Sequence, residues 1–231
     1  MSHPAFAANF GNVPPEEISV SARIFTRKAT RRILMAAFTY AAENGYPSVT
    51  LCEKPNVIRE TSGLMWKMAK EIGQEHFPEI RLINSNIDAQ MMWMTKNPED
   101  YGVIVAGNMF GDIVSDGFAG LTGGLGFASS AQFSADGTAV FEPTHGSAPK
   151  YAGFKTSIVN PIAMIESACM MLDHLGDRET AARIRKAVAR VVLEGRIRTY
   201  DMMKMKGSQE VIEKGAASTS EMTDEIIRKL G

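Results

Sequence analysis

Helical and strand-like periodicities alternate along this chain, and that alternation limits its folds more than any other feature. From Thr26, TRKATRRILMAAFTYAAENG places Ile33, Leu34, Ala37, Phe38 and Ala41 at helical spacing. This predicts an amphipathic helix with Thr26 as N-cap and Gly45 as its stop. SVTLCEK then reads as a short strand and RETSGLMWKMAKEIGQEHF as a second helix, with Leu64, Met68 and Ile72 on one face. IRLINSN is a further strand, and IDAQMMWMTKNPEDYGVIVAG a helix, a turn at Pro98 and a buried strand. Such alternation implies an α/β fold of layered sheet and helices, not a bundle or a sandwich. Upstream, ISVSARIF alternates apolar and polar positions and predicts a strand, whereas residues 1 to about 17, with three prolines, predict extended chain or loop. Downstream, residues 161–175, 178–194 and 218–230 read as helices, the last opened by the Ala217-Ser218-Thr219-Ser220 signal.

The chain has 231 residues, 45% hydrophobic and 22% charged, which suffices for one or two domains with a core. A formal net charge of -1 gives no electrostatic case for nucleic acid. No stretch approaches a membrane span, and MSHPAFAANFGNVPPEEI lacks the basic and apolar regions of a signal peptide. Cys52 and Cys169 stand far apart without a CxxC or zinc spacing, so no disulfide framework is expected and a reducing, cytoplasmic compartment fits. The fifteen methionines, spread through helical stretches, read as core filler.

Chemistry concentrates after Asn108. If NMFGDIVSD opens a helix, Asp112 and Asp116 project from one face and offer a hard-cation site suited to Mg²⁺ or Mn²⁺. GFAGLTGGLGF and GTAVFEPTHGSAPKYAG follow. Clustered glycines allow tight turns and close backbone approach, and exposed N–H groups in such turns attract phosphate. Neither GxGxxG nor GxxxxGK[ST] is present, so neither of those mechanisms is invoked. Gly120 to Gly137 reads as a long glycine-rich loop before a strand over TAVFE. Earlier, SVTLCEK delivers Lys54 to a strand's carboxyl end, where open α/β sheets bind ligands and where a solvated lysine is also common.

GNMFGDIVSD, GGLGF and FEPTHGSAPKYAG together resemble the metal-dependent β-decarboxylating dehydrogenases, the isocitrate and isopropylmalate dehydrogenase family, from about Thr26 to the C-terminus. The resemblance implies that Lys54, in CEKPNV, relays the proton of the substrate hydroxyl and that Asn56 orients substrate or nicotinamide. It implies metal ligation by Asp112 and Asp116, with Asp88, whose commoner role at a helix start is that of N-cap, reaching the metal of a neighbouring subunit, hence an obligate homodimer with shared active sites. It implies cofactor contacts from Glu142 and from the loop after it, His145, Gly146, Ser147 and Ala148, which would embrace the adenosine, with His145 and Asn160 against the adenine. Lys150, Tyr151, Tyr200 and Lys204, the last two one helical turn apart, resemble a 2′-phosphate pocket and favour NADP, with NAD the alternative.

The implied domains are residues 1–122, a small dimerisation domain, and 123–231, the C-terminal part of the large cofactor-binding domain. The N-terminal portion of the family's large domain is expected to be lacking. Its catalytic tyrosine has no counterpart near the N-terminus, where Phe6 and Phe10 stand and the first tyrosine is Tyr40. The implied activity is NADP-dependent oxidative decarboxylation of a 2-hydroxy acid, isocitrate first, with isopropylmalate, homoisocitrate and tartrate open. A regulatory subunit without catalysis and a nucleotide-binding module are the rival readings.

Overall fold

Thr26 starts the first helix: its Oγ1 accepts the N–H of Ala29 at 3.2 Å, and α1 runs Arg27–Glu43 before Gly45 turns the chain away at φ 71°. The structure, a computed structural model, describes residues 13–231; Phe6, Phe10 and the loop expected over residues 1–12 lie outside the described residues. The chain divides into two compact units, one of residues up to Gln90 with Glu99–Phe110, the other of Met91–Pro98 with Gly111–Gly231.

In the first unit, β1 (Ser48–Glu53) lies between β2 (Arg81–Asn86) and β3 (Val103–Ala106), parallel to both. A central parallel strand is covered on both faces, which is why all six residues of β1 are buried. Helix α1 buries Leu34, Ala37, Phe38 and Ala41, and α2 (Thr61–His76) buries Met65, Met68, Ala69 and Ile72 in the same core. Leu34 and Phe38 are fully enclosed, worth about 1.5–3 kcal/mol each in transfer free energy. The expected helix, strand and turn after β2 appear as α3 (Ile87–Lys96), a 3-10 turn over Pro98–Asp100, and β3.

The strand expected over ISVSARIF does not form; residues 18–26 carry no regular structure. The apolar phase of that alternation faces outward, with Val20 58% and Ile24 82% exposed. Phe25 instead packs on the core, and Arg23 is drawn in by Glu53.

The second unit holds most of α4 (Asn108–Leu121) and an antiparallel hairpin of β4 (Ser129–Phe133) and β5 (Ala139–Pro143). β5 matches the strand expected over TAVFE. β4 shortens the loop expected over Gly120–Gly137. An Asp136-Gly137 turn closes the hairpin: Ser134 N–H donates to Thr138 O at 2.8 Å, and Gly137 takes φ 90°. Helices α5 (Ile162–His174), α6 (Arg178–Glu194) and α7 (Thr219–Leu230) match their expected spans and close around Ile162, Val188, Val191, Met222 and Ile226. Ser218 opens α7 with a complete capping box to Glu221. Among the described residues no helix is long and apolar enough to cross a membrane.

Candidate functional site

In the first unit the chain leaves β1 at Glu53 and turns at once, because the carbonyl of Lys54 accepts N–H bonds from Val57 at 3.1 Å and Ile58 at 2.8 Å. The Lys54 side chain, 20% exposed, forms an ion pair with Asp88 in the first turn of α3. That bond, ahead of backbone donors, holds the Asp88 carboxyl below its ordinary value, while desolvation opposes the shift. Asn56 lies exposed in the turn. The structure thus brings Lys54 and Asp88 together, as a donor–acceptor pair at the carboxyl end of the sheet.

Beside them is a residue that sequence reasoning passed over. Glu53 is fully buried, and its carboxylate accepts from Ser62 Oγ at 2.6 Å, Gly107 N–H at 2.8 Å and Arg23 at 3.0 and 3.2 Å. Next door, burial pushes the Cys52 thiol up to about 12, with Glu53 adding to the effect. At neutral pH it is a protonated apolar group and no nucleophile.

Helix α4 begins at Asn108, so Asp112 and Asp116 lie one turn apart within it, both exposed. Among the described residues neither carboxylate has a hydrogen bond or ion pair from its side chain, and no three His, Cys, Asp or Glu gather as a metal group. Two free carboxylate groups at helical spacing fit a magnesium-like ion, which takes one or two carboxylates and retains water.

The nucleotide-like features belong to the second unit, where a cavity of ≈ 570 Å³ is lined by the loop His145–Ala148, Lys150, Tyr151, Asn160 and Tyr200. Tyr200 donates its hydroxyl to Tyr151 at 3.4 Å, and the Lys150 ammonium lies 4.8 Å from the Tyr151 ring centroid. Burial raises the Tyr200 phenol; the Tyr200 hydrogen bond lowers that of Tyr151. Ala148 adopts a left-handed backbone at φ 43°, a conformation costly for alanine that is tolerated where surrounding structure imposes it. His145 Nδ1 lies 3.0 Å from the Gly146 carbonyl.

Asn160 is buried at the mouth of α5, where its Oδ1 accepts Ile162 N–H at 3.0 Å and its Nδ2 donates to Asp201 at 2.9 Å. Asp201, which the sequence did not single out, also accepts from Thr199 at 2.5 Å. It sits directly after Tyr200, and the TYD triplet was its available signal. A Cβ on Gly126 would stand 2.5 Å from Asp201 Oδ2 and 3.1 Å from Asn160, so this glycine is required by close approach. Gly207 is required in the same way, its absent Cβ 2.9 Å from the Tyr151 ring.

Two candidates lie outside the cavity lining. Glu142 faces outward from β5 and accepts from Gln132 across the hairpin. Lys204 is not one helical turn beyond Tyr200: Met205 N–H bonds to Tyr200 O at 2.9 Å, closing a turn in which Lys204 takes a left-handed φ of 55°. Its exposed side chain therefore leaves the direction a helix would have given it.

The sequence profile of the isocitrate/isopropylmalate dehydrogenase family matches residues 7–226. The chain belongs to this family. A 3-isopropylmalate dehydrogenase of Archaeoglobus fulgidus is 43% identical over 78% of this chain and 54% of its own length. A mitochondrial regulatory subunit of the NAD isocitrate dehydrogenase of Dictyostelium discoideum is 37% identical over 95% of this chain and 58% of its own. The crystal structure of isocitrate dehydrogenase from Methylococcus capsulatus superposes with a TM-score of 0.82 at 38% identity, covering 91% of this chain and 58% of that one. The chain thus spans little more than half the length of these family members. Its α/β architecture with a parallel sheet is that of the family fold over the matched part.

Proposed function

We propose that this chain carries the cofactor-binding and metal-binding residues of an NADP-dependent dehydrogenase that oxidises and decarboxylates a 2-hydroxy acid, isocitrate first, to 2-oxoglutarate and CO₂. The observation that carries the reading is the cavity in which His145, Tyr151, Asn160 and Tyr200 meet from three separated stretches of chain. Lys150 supplies the cation that a 2′-phosphate requires, and the Tyr151 hydroxyl, which accepts from Tyr200, keeps its own proton to donate; the carboxylate of the lining, Asp201, already accepts from Asn160 and Thr199. Glu142 and Lys204, outside the lining, are assigned no contact. In this reading residues 1–122 form the dimerisation domain and 123–231 the C-terminal part of the cofactor domain.

Asp112 and Asp116 would hold Mg²⁺ or Mn²⁺, which would supply Lewis-acid polarisation of the substrate oxygens. Lys54 relays the hydroxyl proton: once its ammonium has given a proton up to solvent, the neutral amine accepts the substrate's at Nζ. Asp88 keeps the Lys54 side chain oriented and would help hold the metal of a second protomer, so that a homodimer would share its active sites. Asn56, exposed in the turn after Lys54, orients substrate or nicotinamide. Buried Cys52 and Cys169 accord with a reducing compartment, proposed to be the cytoplasm.

The test is reduction of NADP by the purified chain with isocitrate and Mg²⁺, repeated with NAD and with isopropylmalate, homoisocitrate and tartrate. The reading expects NADP and isocitrate to give the fastest turnover. Its failure with every pair, alone and mixed with a full-length family member, would overturn it. A second reading, a regulatory subunit without catalysis, is favoured by the resemblance to the Dictyostelium protein of that name. It predicts no turnover alone and a changed rate in the full-length partner.

A further inference from the structure

Glu53 is the one formally charged residue among the buried polar groups described. Burying a carboxylate is unfavourable unless donors surround it, and even a well-paired buried ion pair is seldom more stabilising than apolar packing. A purely stabilising role therefore explains this residue poorly. What distinguishes it is where its donors come from. Arg23 reaches it from the irregular segment before α1, Ser62 from the first turn of α2, and Gly107 from the residue immediately before α4. Arg23 is itself held between the rings of Phe25 and Phe110, at 4.6 and 4.9 Å, and donates to Ser62 at 3.3 Å. Gly107 has no room for a side chain: a Cβ would stand 2.6 Å from the Glu53 carboxylate and 2.7 Å from Phe25.

We infer that Glu53 is a positioning residue for Lys54: the carboxylate ties the end of β1 to the starts of α2 and α4, fixing the peptide from which Lys54 extends to Asp88. The chain has no freedom between the two, since Lys54 is the next residue and its carbonyl is held by Val57 and Ile58. The inference rests on the proposed role of Lys54 in proton transfer, but the placement of Lys54 can be read without turnover. In Glu53→Gln the shape is kept, while an amide donor must face Arg23 or Ser62, leaving the guanidinium uncompensated.

The experiment is reductive methylation of the intact folded chain, with the labelling rate of each lysine read by peptide mass spectrometry. In Glu53→Gln, Lys54 should label several-fold faster while exposed Lys28 and Lys155 keep their wild-type rates. The double variant Arg23→Met/Glu53→Leu removes both charges, recovers folding should the single variant fail, and should still label fast at Lys54 because Gly107 has lost its acceptor. Wild-type labelling of Lys54 in either folded variant overturns the inference and leaves Glu53 a structural bridge. If wild type reduces NADP, Glu53→Gln should lower kcat about tenfold with the KM for NADP unchanged, the mark of misplaced chemistry rather than lost cofactor binding. If wild type gives no turnover, alone or mixed with a full-length family member, the proposed function fails and the labelling still decides this point.

Discussion

The Lys54 region and the cavity around Tyr151 hold their polar groups by opposite means. Around Lys54, a buried charge at Glu53 is saturated by four donor contacts, and Lys54 itself is already paired to Asp88. Around Tyr151, the groups are phenols, an amide and an ammonium lining open space, and the close fit is made by glycines at 126 and 207. Saturation confers rigidity, which suits a group that must present one nitrogen at one place. Open space beside polar groups suits a surface that must close on a ligand. Under the proposed function the first region should lose activity, and keep its fold, through a single charge, and the second should lose its shape through a single methyl.

The sharpest break in this comparison is Lys54→Ala. In an assay that turns over, it should cost roughly 10²–10⁴ in kcat, the usual worth of a positioned acid–base group. NADP binding, measured by calorimetry, should be unchanged, because no residue of the cavity lining is altered. Gly126→Ala should do the reverse. The added Cβ displaces Asp201 and with it Asn160, costing ~1–3 kcal/mol in stability, as over-packing does. NADP affinity should fall at least as much, while the labelling rate of Lys54 stays at wild type. Lys150→Ala is milder: NADP affinity should drop about tenfold, the worth of one charge-assisted contact, with NAD affinity little changed. Equal losses for both cofactors would remove the 2′-phosphate from the role of Lys150. Ser218→Ala touches neither region. It should cost about 1 kcal/mol, or ~2–4 °C in Tm, through the lost capping box, and leave cofactor affinity intact.

Most of the helices and strands were legible because their patterns were long or flanked by specific signals. Thr26, Gly45 and Ser218 each act at the helix end where they were read. The failures have physical causes. ISVSARIF alternates, but alternation alone does not supply a pairing strand, and the attraction of Arg23 to a buried carboxylate selected the opposite phase. β4 was missed because SSAQF has little apolar character and owes its form to pairing with β5. The Asp136-Gly137 turn that makes the pairing possible was readable. Of the residues expected at the cofactor, those within THGSAPKY line one cavity because local turns fix their neighbours. Lys204 did not, since its direction depends on a turn that mimics helical spacing and then leaves it. Glu53 was invisible because a charge ending an apolar strand resembles a solvated strand end, and its three donor residues lie 30, 9 and 54 positions away.

The most direct measurement is a calorimetric titration of NADP, and separately NAD, into the purified chain, with Gly126→Ala as the control. A cofactor cavity bounded by Lys150, Tyr151, Asn160 and Tyr200 predicts that NADP binds, that NAD binds about tenfold more weakly, and that the control binds neither well. Tighter binding of NAD would contradict the assignment of the 2′-phosphate contacts. Binding of both cofactors undiminished by Gly126→Ala would contradict the cavity as their site.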